Sequence, residues 1–410
     1  MKKILLTAFA IATTLCTIAQ QTIDVSMGAG YTSEVYYKLN TQTAITFQAD
    51  SWDVAFLRND DFNLSVRVND GIDIKVFEVA DTAEQYGSVD VSNQNDWVEL
   101  VNGNTNWEDG AFMQGSATFG FGEYNPATNH VEGTIVFVLQ YDDGTYRKMI
   151  IEDYFGAYTF KYATWDGSTW SSDTTATVAN TSNPDNRYNY YSLQNNQEVI
   201  AEPSEDNWDF VFRKYTSFIN PPGQNYVVSG ALHNPNVAVA QNQETSDADP
   251  NGLDYLEEIN TIGYDWKSFT GTWNIDSDQK YYVKYENNTV YRMYFTDFGG
   301  SASGDLSFVL QDVTDLLGFE SISENLSFGM YPNPSLDGTV TIVYENKNTA
   351  AATNTIRVYA VNGEQVYETT TLNNNGFFTQ QLDLSFLDSG MYVLQFESGD
   401  TTISKKLILN

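Results

Sequence analysis

Two similar stretches determine the fold class of this chain. The first is Val35-Tyr-Tyr-Lys-Leu39, followed by Trp52-Asp-Val-Ala-Phe56; the second is Asn189-Tyr-Tyr-Ser-Leu193, followed by Trp208-Asp-Phe-Val-Phe212. Short apolar runs with alternation are typical of half-buried β-strands. Trp-Asp-x-x-Phe is most simply interpreted as a core strand, in which Trp and Phe pack and Asp bonds to a nearby turn. A binding role for Trp52 or Trp208 is the alternative interpretation.

A second matching pair indicates that a whole unit is duplicated. Tyr141-Asp-Asp-Gly-Thr-Tyr-Arg-Lys-Met-Ile-Ile-Glu-Asp-Tyr154 corresponds to Tyr285-Glu-Asn-Asn-Thr-Val-Tyr-Arg-Met-Tyr-Phe-Thr-Asp-Phe298. Matches at both ends of a unit are typical of repeat architectures. We therefore predict two domains at 20–172 and 188–313, joined by a polar linker at 173–187. No window has a long helical apolar period, so the chain is predicted to be all-β.

The second unit resembles the HmuY-like family of secreted β-proteins, and the first unit resembles it more loosely. The resemblance rests on Trp208-Asp-Phe-Val-Phe-Arg-Lys-Tyr215, Tyr226-Val-Val-Ser-Gly-Ala-Leu232, Ile262-Gly-Tyr-Asp-Trp-Lys267 and Val290-Tyr-Arg-Met-Tyr-Phe-Thr-Asp-Phe298. It implies two HmuY-like antiparallel β domains. The founding members of the family are haemophores, so haem is the ligand that the resemblance implies.

The histidine content weakens this haem prediction. The family's best-known haem site uses two axial His side chains, but His130 and His233 are the only histidines of this chain. Phe269-Thr270-Gly271 stands where the resemblance would place the second His. His233 with Met293 is the remaining candidate pair within the second unit.

One acidic stretch fits a calcium-binding pattern. Asp247, Asp249, Asn251 and Glu258 satisfy Asp-x-Asp-x-Asn-Gly-x₅-Glu, which supplies alternating oxygen ligands, a Gly for a sharp turn and a distal Glu. The flanking residues are not typical of paired helices, so a solvated acidic loop is the alternative. Calcium is therefore a candidate cofactor.

The C-terminal end contains a series of short strands and turns. It has Tyr331-Pro332-Asn333-Pro334, then Gly338, a hairpin turn at Asn362-Gly363, the run Ser389-Gly390-Met-Tyr-Val, and finally Lys405-Lys406-Leu-Ile-Leu409. This pattern predicts a small Ig-like β-sandwich at 328–410, after a linker at 314–327.

This segment resembles the type A C-terminal sorting domain of type IX secretion cargo in the Bacteroidetes. The resemblance implies that the type IX translocon recognises the domain and that a sortase-like peptidase removes it. At the other end, Lys2, Lys3 and the apolar run Ile4–Ile11 predict a signal peptide at 1–19, cleaved after Ala19. The protein is therefore expected to be secreted or displayed on the outer-membrane surface.

Composition excludes several classes of protein. The chain has 410 residues, 54 Asp+Glu against 20 Lys+Arg and a net charge of −34, which argues against nucleic acid as a partner. Cys16 is the only cysteine, so an internal disulfide or a Cys₄ zinc site is impossible. No P-loop, nucleophile elbow or His-Glu-x-x-His motif is present.

These observations favour a non-catalytic protein that captures a ligand, haem or a related nutrient, or makes surface interactions. The alternatives are a calcium-stabilised adhesion or glycan-binding module and a carboxylate-based hydrolase. Trp97, Trp107, Trp165, Trp170 and Trp273 are further candidates for stacking on a sugar or a porphyrin.

Overall fold

The computed structural model describes residues 20–58, 63–245, 248–317, 320–323, 326–346, 352–373, 376–399 and 401–410. The predicted signal peptide, with its cleavage site at Ala19, and the calcium candidate Asp247 lie outside these residues. Antiparallel sheets dominate the described chain, which confirms the all-β prediction. No helix in the described parts is long and apolar enough to cross a membrane.

Three strands at the start of the described chain are not part of the sheets formed by residues 54–199. These are β1 (Gln21–Ser26), β2 (Ser33–Lys38) and β3 (Thr43–Gln48). β1 pairs with a strand at Asp305–Asp312, and β2 pairs with one at Phe210–Ile219. The N-terminal strands therefore complete sheets whose other strands come from residues 210–312.

The first sandwich is formed by residues 54–199 alone. Its strands are β4 (Val54–Leu57), β5 (Val66–Val68), β6 (Lys75–Ala80), β7 (Val98–Leu100), β8 (Gly122–Asn125), β9 (His130–Gly133), β10 (Val136–Gln140), β11 (Tyr146–Tyr154), β12 (Ala157–Thr164), β13 (Thr174–Ala179), β14 (Tyr188–Ser192) and β15 (Gln197–Val199). One sheet has the order β15-β14-β4-β5. The other has eight strands, of which six follow the order β13-β12-β11-β10-β6-β7, while β9 pairs with β11 and β8 pairs with β9. Phe56, Phe160 and Tyr191 meet in the core between the two sheets.

The second sandwich combines β1–β3 with the strands after residue 209. These are β16 (Phe210–Ile219), β17 (Gln224–His233), β18 (Val237–Gln243), β19 (Lys267–Phe269), β20 (Trp273–Ile275), β21 (Gln279–Tyr285), β22 (Val290–Phe298) and β23 (Asp305–Asp312). The sheet orders are β17-β16-β2-β3 and β1-β23-β22-β21-β18, and β19-β20 is a separate hairpin. Tyr37, Phe212 and Phe308 pack between the two main sheets.

The two sandwiches also share an aromatic core. The four-stranded sheets of both contribute to it, because alternate side chains of each strand point to opposite faces of its sheet. Trp52, Trp208 and Tyr190 are 2%, 1% and 3% exposed and lie in this shared core. The tryptophans are thus packing residues, which confirms the core-strand interpretation of Trp-Asp-x-x-Phe.

The aspartates of the two motifs make matching hydrogen bonds. Asp53 accepts from the backbone N–H of Leu193 at 2.6 Å, and Asp209 accepts from that of Leu39 at 2.7 Å. Each bond reaches the turn after the Tyr-Tyr strand of the other repeat, so the turn is near in space but distant in the chain. Both copies also have a β-bulge at the same place, between Ile151 and Asp153 in β11 and between Phe295 and Asp297 in β22.

Strand pairing divides the chain differently from the units predicted at 20–172 and 188–313. The first sandwich is inserted between β3 and β16 of the second, and the predicted linker at 173–187 contains β13, which pairs with β12. The sequence repeat does not reveal where each sandwich begins and ends, because local alternation does not specify which distant strand a strand will pair with.

The C-terminal segment forms a third sandwich. Its strands are β24 (Glu320–Ser323), β25 (Leu326–Tyr331), β26 (Thr339–Asn346), β27 (Ala352–Ala360), β28 (Gln365–Asn373), β29 (Gly376–Asp383), β30 (Gly390–Ser398) and β31 (Thr401–Leu409). They form two four-stranded sheets, β24-β25-β26-β29 and β28-β27-β30-β31. Phe328, Tyr344 and Phe396 pack between these sheets.

Short 3₁₀ helices connect the strands of the described chain: Ala29–Tyr31, Asp70–Ile72, Ala83–Ser88, Val91–Asp96, Ala111–Gln114, Glu205–Asn207, Gly300–Ala302 and Thr314–Leu316. The helix Asp70–Ile72 is the one that positions the candidate site described next.

Candidate functional site

A groove of about 800 Å³ lies where the β16–β17 hairpin passes over the first sandwich. β2 pairs only with the first three residues of β16, Phe210–Phe212, so the rest of this long hairpin extends beyond the sheet. The groove separates the end of the hairpin from residues 68–75 and 99–102. Its volume falls within the range of roughly 300–1,000 Å³ that is usual for ligand pockets.

Contacts from the 3₁₀ helix Asp70–Ile72 hold the hairpin in place. The Asp70 carboxylate accepts from the backbone N–H of Thr216 at 2.8 Å. A side chain at Gly71 would place its Cβ 2.7 Å from the carbonyl oxygen of Lys214, so only glycine allows this close approach. Asn104 also donates to the Ser217 hydroxyl at 3.0 Å. The groove is therefore preformed by polar contacts on the side of the first sandwich.

A buried ion pair fixes the base of the same hairpin. Arg213 lies 3.1 Å from Glu34, and both side chains are almost completely buried. Burial raises the pKa of the Glu34 carboxyl, and the charge of Arg213 opposes that shift. Removing one partner of such a pair leaves a buried charge uncompensated, which strongly destabilises a fold.

Two exposed aromatic side chains border the groove. Phe218 is 62% exposed and Tyr226 is 43% exposed. Phe218 pairs with Asn225, and Tyr226 pairs with Ser217, so the two rings belong to opposite faces of the hairpin. One aromatic ring on each face of the hairpin therefore borders the groove.

The rest of the lining is polar with a few apolar side chains, and two of its three carboxylates form ion pairs with lysines. Asp73 lies 3.5 Å from Lys214, and Lys75 lies 3.9 Å from Glu99. The remaining lining residues are Val68, Asp70, Ile74, Leu100, Val101, Asn102, Thr216, Gly223, Gln224, Asn225 and Val227. The groove thus presents uncharged amides and paired charges beside the two aromatic rings.

A buried carboxyl of a different kind lies between the two sandwiches. Glu202 is 2% exposed and accepts from the Tyr188 backbone N–H at 2.6 Å and from the Tyr190 hydroxyl at 2.8 Å. Burial raises the pKa of Glu202 to about 7, although these hydrogen bonds act in the opposite direction. Glu202 does not line the groove, so we assign it to the structure of the shared core.

The haem candidates His233 and Met293 are both fully buried, at 0% exposure. The His233 ring nitrogens lie 3.0 Å and 2.7 Å from the backbone carbonyl oxygens of Asn234 and Glu258. Burial lowers the pKa of His233. Met293 lies in the core of the second sandwich. A haem iron would have to displace a hydrogen bond of His233 to bind it.

His130, in the first sandwich, has a more open environment. Its Nδ1 lies 2.7 Å from the Asp153 carboxylate, and its ring stacks on Phe155 with centroids 4.6 Å apart. A His–Asp pair of this kind occurs in serine hydrolases. In the described part of the chain, however, no Ser or Thr hydroxyl is hydrogen-bonded to the other ring nitrogen of His130.

The described residues of the calcium candidate lie in different parts of the fold. The Asp249 carboxylate accepts from the Asn251 backbone and side-chain amides at 3.0 Å and 2.8 Å. Glu258 instead lies beside Trp107 and Arg187, at a smaller cavity between the sandwiches. The described residues contain no group of three or more His, Cys, Asp or Glu placed to hold a metal ion.

Of the five tryptophans that the sequence offers as stacking residues, Trp273 is the exposed one, and it lies on the second sandwich. Trp273 is 37% exposed and packs against Phe269 on the β19–β20 hairpin. Trp107 is 5% exposed and donates to the His233 carbonyl, so it is a packing residue and not a stacking platform. Phe218 and Tyr226 could not be selected as site residues from the sequence, because their exposure depends on how far the hairpin extends beyond β2.

The predicted sorting-signal residues join the two ends of the third sandwich. The Asn333 side chain donates to the Lys406 carbonyl at 2.7 Å and accepts from the Ile408 N–H at 2.8 Å. Gly338 has a φ of 76°, and a Cβ there would lie 2.5 Å from the backbone of Ser385. Tyr331, Pro332 and Pro334 surround Asn333, Gly363 forms the Asn-Gly turn with a φ of 86°, Gly390 begins β30, and Lys405 lies in β31.

Comparisons with known proteins identify the third sandwich. Residues 329–410 match a family described as "Secretion system C-terminal sorting domain". This match confirms the sorting domain predicted at 328–410 and supports a secreted or cell-surface cargo of type IX secretion.

The rest of the chain has weaker similarity to known proteins. A search among curated proteins found no match. Among solved structures, the chain is similar to "Crystal structure of dimeric latent PorU from Porphyromonas gingivalis", at 10% identity and a TM-score of 0.18. That likeness covers 90% of this chain and 35% of the other, so this chain spans about a third of that protein's length, and the low TM-score supports no further statement.

Proposed function

We propose that the protein is a secreted, non-catalytic ligand-capture protein whose ligand binds in the groove beneath the β16–β17 hairpin. The observation that carries this proposal is a cavity of about 800 Å³ bordered by two exposed aromatic rings. Exposed aromatics beside convergent polar groups are typical of small-ligand sites. The contacts of Asp70 and Gly71 hold the hairpin in place, which lowers the entropic cost of binding.

Haem is not the ligand that the groove favours. Among the described lining residues, none is a histidine or methionine, and the Tyr226 hydroxyl, the one lining group of a type that binds haem iron, already accepts a hydrogen bond from the Gln224 side chain. His233 is buried with both ring nitrogens occupied. Haem capture therefore remains a separate prediction from the family resemblance. A haemin titration of the purified protein tests it, and the absence of a Soret shift at micromolar haemin would remove it.

Binding by wild-type protein and by matched surface variants tests the groove. The probes are a defined set of soluble oligosaccharides, haemin and short peptides, and binding is measured by native mass spectrometry and calorimetry. Phe218→Ala with Tyr226→Ala should weaken the complex that wild type forms. Phe269→Ala is the matched control, since Phe269 is also 62% exposed but lies outside the groove.

Two results would contradict the proposed function. The first is that none of these probes binds, and the second is that binding is equal in the groove variant and in wild type. Release of shorter saccharides from a bound oligosaccharide would contradict the non-catalytic assignment and favour the carboxylate-based hydrolase.

We further propose that the third sandwich delivers this ligand-binding unit to the cell exterior. The type IX translocon and a sortase-like peptidase are the partners that the sorting-domain resemblance implies. A chain that stops before residue 328 should accumulate in the periplasm. Normal amounts of the truncated protein in the medium would contradict this role.

A further inference from the structure

The charge of the groove restricts the chemistry of its ligand. The whole chain carries a net charge of −34, which repels anions. Among the described residues that line the groove, Lys75 is the only basic one, and it lies beside Glu99. An anionic ligand would therefore have to compete with Glu99 for Lys75.

A cationic ligand is disfavoured for a different reason. Asp73 already lies beside Lys214, and Asp70 accepts from the Thr216 N–H while it is 6% exposed. A bound cation would have to compete with these groups for each carboxylate. The lining has three carboxylates, Asp70, Asp73 and Glu99, and each already has a partner within the fold, which favours a neutral ligand.

The uncharged lining residues suit a ligand with many hydroxyl groups. Asn225 offers an amide donor and an amide acceptor at the end of the hairpin, and Gln224, which donates one amide hydrogen to the Tyr226 hydroxyl, offers its second amide hydrogen and its carbonyl oxygen. Phe218 and Tyr226 are flat apolar surfaces on two sides of the same hairpin. A sugar ring combines an apolar C–H face, which stacks on an aromatic ring, with equatorial hydroxyls that bond to amides and carboxylates.

We propose that the groove binds a neutral oligosaccharide, with sugar rings stacked on Phe218 and Tyr226 and hydroxyls bonded to Gln224 and Asn225. This inference rests on the proposed function and adds the class of ligand. The two aromatic rings lie on separate faces of the hairpin, so a ligand of several linked rings engages both, whereas a monosaccharide engages one. Longer oligomers should therefore bind more tightly than their monosaccharide.

Probes that differ only in charge provide the direct test. Oligomers of N-acetylglucosamine are neutral, their deacetylated counterparts carry amines, and oligogalacturonate carries carboxylates. Neutral cello-, malto- and xylo-oligosaccharides complete the set. The full chain is titrated calorimetrically with each probe at fixed ionic strength. At least one neutral series should bind, and its charged counterparts should bind more weakly.

Surface variants connect that binding to the two rings. Phe218→Ala and Tyr226→Ala should each weaken binding about tenfold, the effect expected from loss of one aromatic stack. Phe218→Trp should retain binding, because it keeps an aromatic face. Phe269→Ala should bind as wild type does. Melting temperatures of all variants check that these exposed substitutions leave the fold intact.

The possible failures are distinguishable. If no neutral oligosaccharide binds, or if only the charged probes bind, the inference of a neutral glycan is overturned. In that case, groove-dependent binding of haemin or a peptide would leave the proposed ligand-capture function standing. If an oligosaccharide binds but Phe218→Ala and Tyr226→Ala do not weaken it, both the inference and the groove assignment are overturned.

Discussion

Replacing Asp209 by alanine should destabilise the second sandwich and release the N-terminal strands from it. The Asp209 side chain is fully buried, at 0% exposure, and lies 2.8 Å from the Lys38 ammonium group. It also accepts from the Leu39 backbone N–H at 2.7 Å and from the Tyr285 hydroxyl. Two of these three partners belong to the N-terminal segment and the third to β21.

The expected magnitude follows from these contacts. Loss of one partner of a buried, hydrogen-bonded ion pair typically costs about 3–5 kcal/mol. For a sandwich of this size, that corresponds to a fall in melting temperature on the order of 10 °C. Asp209→Asn, which keeps an acceptor for the Leu39 N–H, should cost less. Asp297→Ala is the matched control, since Asp297 is exposed in the same sandwich and should change stability by less than about 0.5 kcal/mol.

Hydrogen–deuterium exchange of the full chain, followed with denaturant unfolding, measures both the size and the location of the effect. In Asp209→Ala, residues 21–48 and 210–312 should lose protection together, because they form one sandwich. Residues 54–199 should keep most of theirs. Asp209 does not anchor the N-terminal strands if Asp209→Ala is as stable as Asp297→Ala, or if residues 21–48 stay protected while 54–199 exchange faster.

Three further predictions concern individual buried or bridging groups. Burial raises the pKa of Glu202 from 4.5 to about 7, so between these pH values the folded state binds a proton that the unfolded state has lost. The stability that this proton contributes, up to about 3 kcal/mol, is fully present below pH 4.5 and is lost as the pH rises to 7. Glu202→Gln should remove that pH dependence, and parallel stability curves for the two proteins would count against it. Burial lowers the pKa of Lys267 from 10.5 to about 7, so the side chain is neutral in the folded state over a range in which it is charged in the unfolded state. The free energy of unfolding should therefore rise between pH 7 and 10.5. Lys267→Met should flatten this rise, measured by chemical denaturation, and the same pH dependence in the variant would argue against the shift. Asn333→Ala removes two bonds to β31 and should destabilise the sorting sandwich by about 1–3 kcal/mol and reduce export, measured by the melting temperature and the amount in the medium; wild-type values for both would disprove the bridging role.

The fold class and the packing of the repeated motifs could be predicted from the sequence, because alternation and aromatic content are local signals. Trp52, Trp208 and the two motif aspartates have the roles that their pattern predicts. The assignment of strands to the two sandwiches could not be predicted, since the pairing of β1 with β23 joins residues almost 290 positions apart. A repeat in sequence shows that two units exist, but it does not show which copy of a strand completes which sheet.

The groove could not be predicted from the sequence for a related reason. Phe218 and Tyr226 lie in strands that pair with each other over their whole length, and such residues usually pack on one face. They are exposed because β2 pairs with β16 only as far as Phe212. The Asn-Pro-Pro-Gly turn at 220–223 was the available signal, because it marks the end of a long hairpin with aromatic residues on both sides.

Hydrogen–deuterium exchange with and without the best-binding neutral oligosaccharide shows where on the molecule the ligand binds. We expect the ligand to slow exchange in residues 68–75, 99–102 and 216–227, which surround the groove. We expect no change in the β19–β20 hairpin, where the control residue Phe269 lies. Protection confined to that hairpin, or to the sorting sandwich, would contradict the assignment of the groove as the ligand site.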